Sequence, residues 1–192
     1  MNRENMMKKA RELTSQAQSS MKAGKHEEAI DAYTRLIDLF DRLEDAEAKA
    51  RAHNNCGLLL ARQDRYDDAL THFREALSIF DQHKKPLNMA EQWGNIGSVY
   101  RDMDKGDLAL DSYNRALPLY KKMDKEEGVA DQYTNIAYIH VMQNRLTEAL
   151  DWYQKALPLY EKTGADKKLH FTRQNIEKLQ EDTEANEGSC CC

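Results

Sequence analysis

Apolar positions along the chain recur at helical spacing, and that recurrence itself repeats every 40 residues. Ala29, Ala69, Ala109 and Ala149 are each followed four positions later by an aromatic, Tyr33, Phe73, Tyr113 and Tyr153. The stripe runs on through Leu36, Ala76, Ala116 and Ala156 and then Leu39, Ile79, Leu119 and Leu159, which is one face of one helix. Upstream of each alanine lies a small residue, Ala17, Gly57, Gly97 or Ala137, where two backbones can approach closely. Cys56, Ile96 and Ile136 stand just before it in three copies, with Leu60 and Tyr100 on the same face. Gly24-Lys25, Asp64-Arg65, Asp104-Lys105 and Asn144-Arg145 separate the two helices of each unit and read as turns.

The pattern predicts helices over about 3–22 and 26–43, 47–62 and 66–81, 87–103 and 106–122, 126–142 and 146–162, with a ninth over 166–182. The repeats therefore fall at about 3–43, 47–82, 87–122 and 126–162 within one domain, 1–182. The ninth helix keeps Asn175-Ile176 at the offset of Asn135-Ile136 and reads as a cap over the apolar side of the fourth repeat. Residues 183–192, acidic and polar before the terminal Cys190-Cys191-Cys192, are expected to be a disordered tail.

A small residue on the first helix, an alanine and an aromatic on the second, and a tight turn between them resemble the tetratricopeptide repeat. The third copy keeps the pattern best, as Trp93, Ile96, Gly97, Tyr100, Ala109, Tyr113 and Ala116. The 40-residue period and the asparagine on the first helix are similar to kinesin light chain and Pins/LGN repeats. The resemblance implies an all-α, right-handed superhelical solenoid of four helix-turn-helix units plus a C-terminal capping helix, binding peptides in its concave groove. Pro118 and Pro158 depart from the usual pattern, and each removes a hydrogen bond near the end of its helix.

First-helix residues that turn away from the second helix form a stripe: Arg11, Ser15, Gln18, Lys22; Arg51, Asn55, Leu58, Arg62; Glu91, Asn95, Ser98, Asp102; Asp131, Asn135, Tyr138, Met142. Phe171, Asn175 and Lys178 continue it on the cap. The resemblance places this stripe in the groove. The candidate peptide-binding residues are accordingly Arg51, Asn55, Arg62, Glu91, Asn95, Ser98, Asp131, Asn135, Tyr138 and Asn175. The asparagine column can donate to and accept from an extended peptide backbone whatever its sequence; alternatively, each asparagine bonds a neighbouring helix. Arg11, Lys22, Arg51 and Arg62 against Glu91, Asp102 and Asp131 predict a groove positive at its N-terminal end and negative at its C-terminal end. Glu91 stands where a chaperone-tail carboxylate clamp requires a cation, so that ligand is not expected.

Charged residues make up 32% of the chain and the net charge is −5, which argues against nucleic acid as a ligand. Mean hydropathy is −0.85, as suits the large surface of a one-repeat-thick array. No apolar run reaches membrane-spanning length and the N-terminus lacks a signal-peptide stretch, so a soluble, cytoplasmic protein is expected. The six histidines share no metal-ligand spacing with cysteine or carboxylates; His53 and His140 take repeat positions occupied elsewhere by aromatics, and Cys56 that of Ile96 and Ile136. Asp67-Asp68 and Glu27-Glu28 are explained by the dipole at a helix start. No phosphate loop or nucleophile elbow is present, and neither an enzyme nor a cofactor is expected. The terminal cysteines resemble double-cysteine prenylation ends, with Cys191 and Cys192 as candidate lipidation sites; a loose metal-binding or disulfide-prone end and an added tail are the other readings. The expected role is a protein-interaction adaptor for an unidentified protein or peptide. The alternative is an assembly component, self-associating or membrane-tethered.

Overall fold

The structure, a computed structural model, describes residues 2–189, with side chains through Asp182. Nine helices and no strand occur among the described residues: α1 (Arg3–Lys22), α2 (His26–Arg42), α3 (Ala46–Ala61), α4 (Tyr66–Gln82), α5 (Pro86–Asp102), α6 (Gly106–Lys122), α7 (Glu126–Met142), α8 (Leu146–Thr163) and α9 (Asp166–Ser189). Each predicted helix is present to within one residue at its start. Asn2 and Asp45 cap α1 and α3 with their side chains, and Pro86 opens α5 at the first helical position, where its missing N–H costs nothing. The chain divides into two compact units, one ending at Val99 and one beginning at Tyr100, where the repeat pattern predicts a single domain. Packing runs from neighbour to neighbour, α1 on α2, α2 on α3 and α3 on α4 in one unit, α6 on α7, α7 on α8 and α8 on α9 in the other. Nothing in such an array requires one shared core.

The connections are more regular than the 40-residue pattern suggests. A left-handed residue occurs every 20 positions: Gly24, Glu44, Asp64, Lys84, Asp104, Asp124, Asn144 and Gly164, with φ between 50° and 71°. The residue after each donates its N–H five positions back, as in Lys25 to Ser20, Asp45 to Phe40, Lys85 to Phe80 and Ala165 to Tyr160. Every helix from α1 to α8 therefore ends in the same Schellman-type turn, which satisfies otherwise orphaned carbonyls. Six of the eight turns carry a side chain where glycine is favoured. Lys84→Gly is expected to stabilise the fold by about 0.5–1 kcal/mol, the relief of left-handed strain less the added freedom of the unfolded chain. A lower urea midpoint for that variant would contradict this account.

The four repeat alanines are all 0% exposed, and Tyr33, Phe73, Tyr113 and Tyr153 are buried beside them. In the first unit a cluster of Ala50, Ala76 and Phe80 is flanked by Ile79 and Met89. In the second, Ala109 and Tyr113 meet Ile136 and Ile139, while Ala137, Ala149 and Tyr153 meet Ile176 and Leu179 of α9. The cap therefore buries the apolar side of the last repeat. Pro118 and Pro158 lie within α6 and α8 on exposed faces, so the carbonyls they leave without an N–H partner can bond to water. α9 continues to Ser189, beyond the predicted end at 182. Thr183 to Glu187 contains no proline or glycine, so nothing in the sequence stops a helix that Ile176 and Leu179 have already anchored.

Candidate functional site

In the first unit the stripe borders a cavity of about 250 Å³ lined by Thr14, Gln18, Tyr33, Leu36, Phe40, Ala48, Arg51, Ala52 and Asn55. The helical register explains this mixture. Thr14 and Gln18 on α1 and Arg51 and Asn55 on α3 supply polar groups at i, i+4, while α2 supplies the buried Tyr33 and Leu36 with the half-buried Phe40. Arg51 donates to Glu47 at 2.8 Å, and Lys85 shares that carboxylate at 3.1 Å. Two cations on one anion leave this part of the surface positive.

A hydrogen-bond chain runs from α5 to α1. Asn95 Nδ2 and Gln92 Nε2 both donate to Asn54 Oδ1 at 3.0 Å. Asn54 Nδ2 lies 3.4 Å from Asn55 Oδ1, Asn55 bonds the Tyr33 hydroxyl, and that hydroxyl donates to Met21 Sδ at 3.5 Å. Burial raises the Tyr33 pKa, and the Asn55 bond only partly opposes it. Ser98 donates to the carbonyl of Gly94 at 3.1 Å. Arg62 follows α3 as its C-cap and is exposed, and Glu91 is exposed on α5.

The second unit treats its part of the stripe differently. Asp131 accepts from Tyr160 Oη at 2.8 Å and from Lys168 Nζ at 2.7 and 2.8 Å, and Lys168 also reaches Glu127 at 2.8 Å. Burial alone would lower the Lys168 pKa, but the two carboxylates overcome it and the pKa is raised. Asp102 pairs with Arg101 at 2.8 Å. Of the three carboxylates expected at a negative C-terminal end, Asp131 and Asp102 each have a counter-ion supplied by this chain, the first from the cap. Asn135 is half-buried on α7, and Tyr138 is 48% exposed with the Arg101 guanidinium 5.8 Å from its ring centroid. Asn175, exposed on α9, bonds the Tyr153 hydroxyl, whose pKa burial pushes up to about 12.

The asparagine column is thus largely tied to neighbouring helices. Asn55 and Asn175 each bond the repeat tyrosine that precedes them by 22 residues, Tyr33 and Tyr153. At the equivalent place before Asn95 stands Phe73, which has no hydroxyl, and Asn95 turns to Asn54 instead. Asn54, Gln92, Gln132 and Lys168 were not among the expected site residues. Gln92 and Gln132 are buried polar groups 40 residues apart, and each leaves its Oε1 without a partner in the structure. That shared offset was the signal in the sequence; Lys168 carried none, because its equivalent in the preceding repeat is Gly128.

His53, His72 and Cys56 form a separate group between α3 and α4. The two Nδ1 atoms are 3.0 Å apart and Cys56 Sγ is 3.5 Å from His72 Nε2. Burial pushes His53 down to about 4 and the Cys56 thiol up to about 11. A thiol so held stays protonated near neutrality, which opposes a nucleophilic role. No group of three or more potential metal ligands occurs among the described residues, and none of their helices is long and apolar enough to cross a membrane. Cys191 and Cys192, the candidate lipidation sites, lie outside the described residues.

Paired helices, a common turn and a stripe of polar first-helix residues define a tetratricopeptide array. The model of the tetratricopeptide repeat matches residues 10–82 and 88–162, well over half of the sequence, and the chain belongs to that family. No curated protein sequence matches it. Among solved structures it is similar to BtubC (BKLC) from P. vanneervenii, with a TM-score of 0.69 and 17% identity over 90% of this chain and 80% of that one. It is also similar to the apo form of RapI (TM-score 0.84, 16% identity) and to aspartyl phosphate phosphatase F from Bacillus subtilis (TM-score 0.79, 17% identity). Each of these two likenesses covers 93% of this chain and spans half the length of the other protein. At such identities the likeness shows the fold.

Proposed function

We propose that this chain is a cytoplasmic, non-enzymatic adaptor that takes a peptide segment of a partner protein on the exposed stripe of its first helices. The cavity beside Arg51 and Asn55 carries the reading. At about 250 Å³ it is smaller than the roughly 300–1,000 Å³ of small-molecule pockets, and suits one side chain of a longer ligand. Its polar rim and apolar wall fit a side chain attached to a hydrogen-bonding backbone. Arg51 and Gln18 are exposed and available to that ligand, while Asn55, already bonded to Tyr33 and near Asn54, serves more to hold the rim. Asn135 and Tyr138 are the corresponding contacts in the second unit. The buried free thiol of Cys56 is compatible with a reducing compartment. The likeness to phosphatase F is one of fold and lends this chain no activity.

The test is selection of a displayed library of random dodecapeptides on the wild-type protein. Binders are expected, and Arg51→Glu, a change at an exposed position, is expected to weaken them at least about tenfold, or about 1.4 kcal/mol. An empty selection, or binders indifferent to Arg51→Glu, would reject the reading.

A further inference from the structure

The hydrogen-bond chain of the first unit has a direction. Met21 Sδ can only accept, so the Tyr33 hydroxyl at 3.5 Å donates to it and its oxygen takes the amide N–H of Asn55. Asn55 Oδ1 then faces Asn54 Nδ2, which turns Asn54 Oδ1 toward α5, where Gln92 and Asn95 both donate at 3.0 Å. Reversing any of these amides would set two N–H groups or two carbonyls face to face. A thioether on α1 thereby fixes an amide on α5: Asn95 presents Nδ2 to the network and has Oδ1 left over.

Glu91 stands one helical turn before Asn95, on the same face of α5. It makes no ion pair or hydrogen bond among the described residues, whereas Asp131, its equivalent in the next repeat, holds Lys168 and Asp102 holds Arg101. The side chain as a whole is exposed, yet nearby atoms displace water from its carboxyl and raise its pKa. An anion that has lost part of its hydration and gained no counter-ion is stabilised by a cation brought to it. On α3, by contrast, Arg51 and Lys85 already share Glu47.

We propose that Glu91 and Asn95 Oδ1 together accept the side chain of a lysine or arginine in the bound peptide, making Glu91 a specificity-determining residue that requires a basic position in the partner. The inference rests on the stripe being the peptide-binding surface, and its test separates the two claims. Dodecapeptides are selected from the random library on wild type, Glu91→Lys and Arg51→Glu. Wild-type binders are expected to share a lysine or arginine at one position, and replacing it by alanine, or Glu91 by Gln, is expected to weaken binding about tenfold. Glu91→Lys is expected to select aspartate or glutamate at that position. Both Glu91 variants change an exposed side chain, and Glu91→Gln keeps its shape. If wild type and Glu91→Lys select the same residues throughout while Arg51→Glu still abolishes binding, the cation site is wrong and the peptide surface stands. A basic residue indifferent to Glu91→Gln, or a ligand whose backbone N–H alone meets Asn95, overturns the site equally. Binders indifferent to Arg51→Glu as well remove the surface and the site together.

Discussion

Phe73→Ala is expected to lower the unfolding free energy by about 3–5 kcal/mol, the cost of an emptied aromatic site in a core that can only partly collapse. The ring is 1% exposed, and a Cβ added at Gly57 would lie only 2.8–3.0 Å from three of its carbons. Glycine on the first helix is thus required by the aromatic on the second. Gly57→Ala alone is expected to cost about 1–3 kcal/mol through overpacking, even after the gain of about 1 kcal/mol in helix propensity. In the Phe73→Ala background the added methyl meets open space, and the same substitution is expected to be neutral or stabilising. A double-mutant cycle in urea reads the coupling directly; additive losses would mean that the ring and the glycine do not compete for the same volume. A Cβ added at Gly128 would likewise lie 2.5–2.9 Å from three carbons of the Tyr120 ring, so Gly128→Ala is expected to be destabilising as well.

That pairing illustrates what a single sequence exposes. Ala29, Phe73 and Gly57 are legible because each copy faces the same packing requirement and answers it with the same residue class. Helix positions followed from this, and so did the faces. The turns were only half legible: Gly24 and Asn144 look like left-handed residues, whereas Glu44 and Lys84 adopt that conformation against their own preference, because the flanking helices impose it. The division at Val99 and the continuation of α9 to Ser189 were not visible, since neither depends on a motif. At the site, an asparagine every 40 residues marked one face of the first helices but not what the amides do. Their hydrogen bonds depend on single departures from the repeat: Phe73 in place of tyrosine, Asn54 beside Asn55, and Met21 ending the chain. Periodicity finds what the copies share. Charge balance is decided by what they do not share, and Lys168 neutralises Asp131 while Glu91 keeps its charge unpaired.

Acidification from pH 7 to pH 4 is expected to destabilise the wild type more than His53→Phe, by about 2–3 kcal/mol. The Cys56 thiol can donate to His72 Nε2, His72 Nδ1–H to His53 Nδ1, and this arrangement gives all three groups a consistent role only while both imidazoles are neutral. His53 is 8% exposed, and burial first, then the proximity of His72 and Lys49, depresses its pKa from 6.5 to about 4. Burial also lowers His72, with Arg65 acting the same way and Asp68 and Glu75 opposing. Below the unfolded value of 6.5 the unfolded chain takes up a proton that the native state refuses, so stability present near neutrality is lost as pH falls toward 4. For His53 alone the difference of some 2.5 units amounts to about 3 kcal/mol. Phenylalanine is a suitable replacement because Trp93 and Tyr133 occupy the same repeat position, and it removes the titration while keeping an aromatic. Carboxylates elsewhere titrate in both proteins and cancel in the comparison. Urea midpoints at the two pH values measure the effect; equal losses in wild type and His53→Phe would mean that the imidazole pair takes up protons as readily when folded as when unfolded.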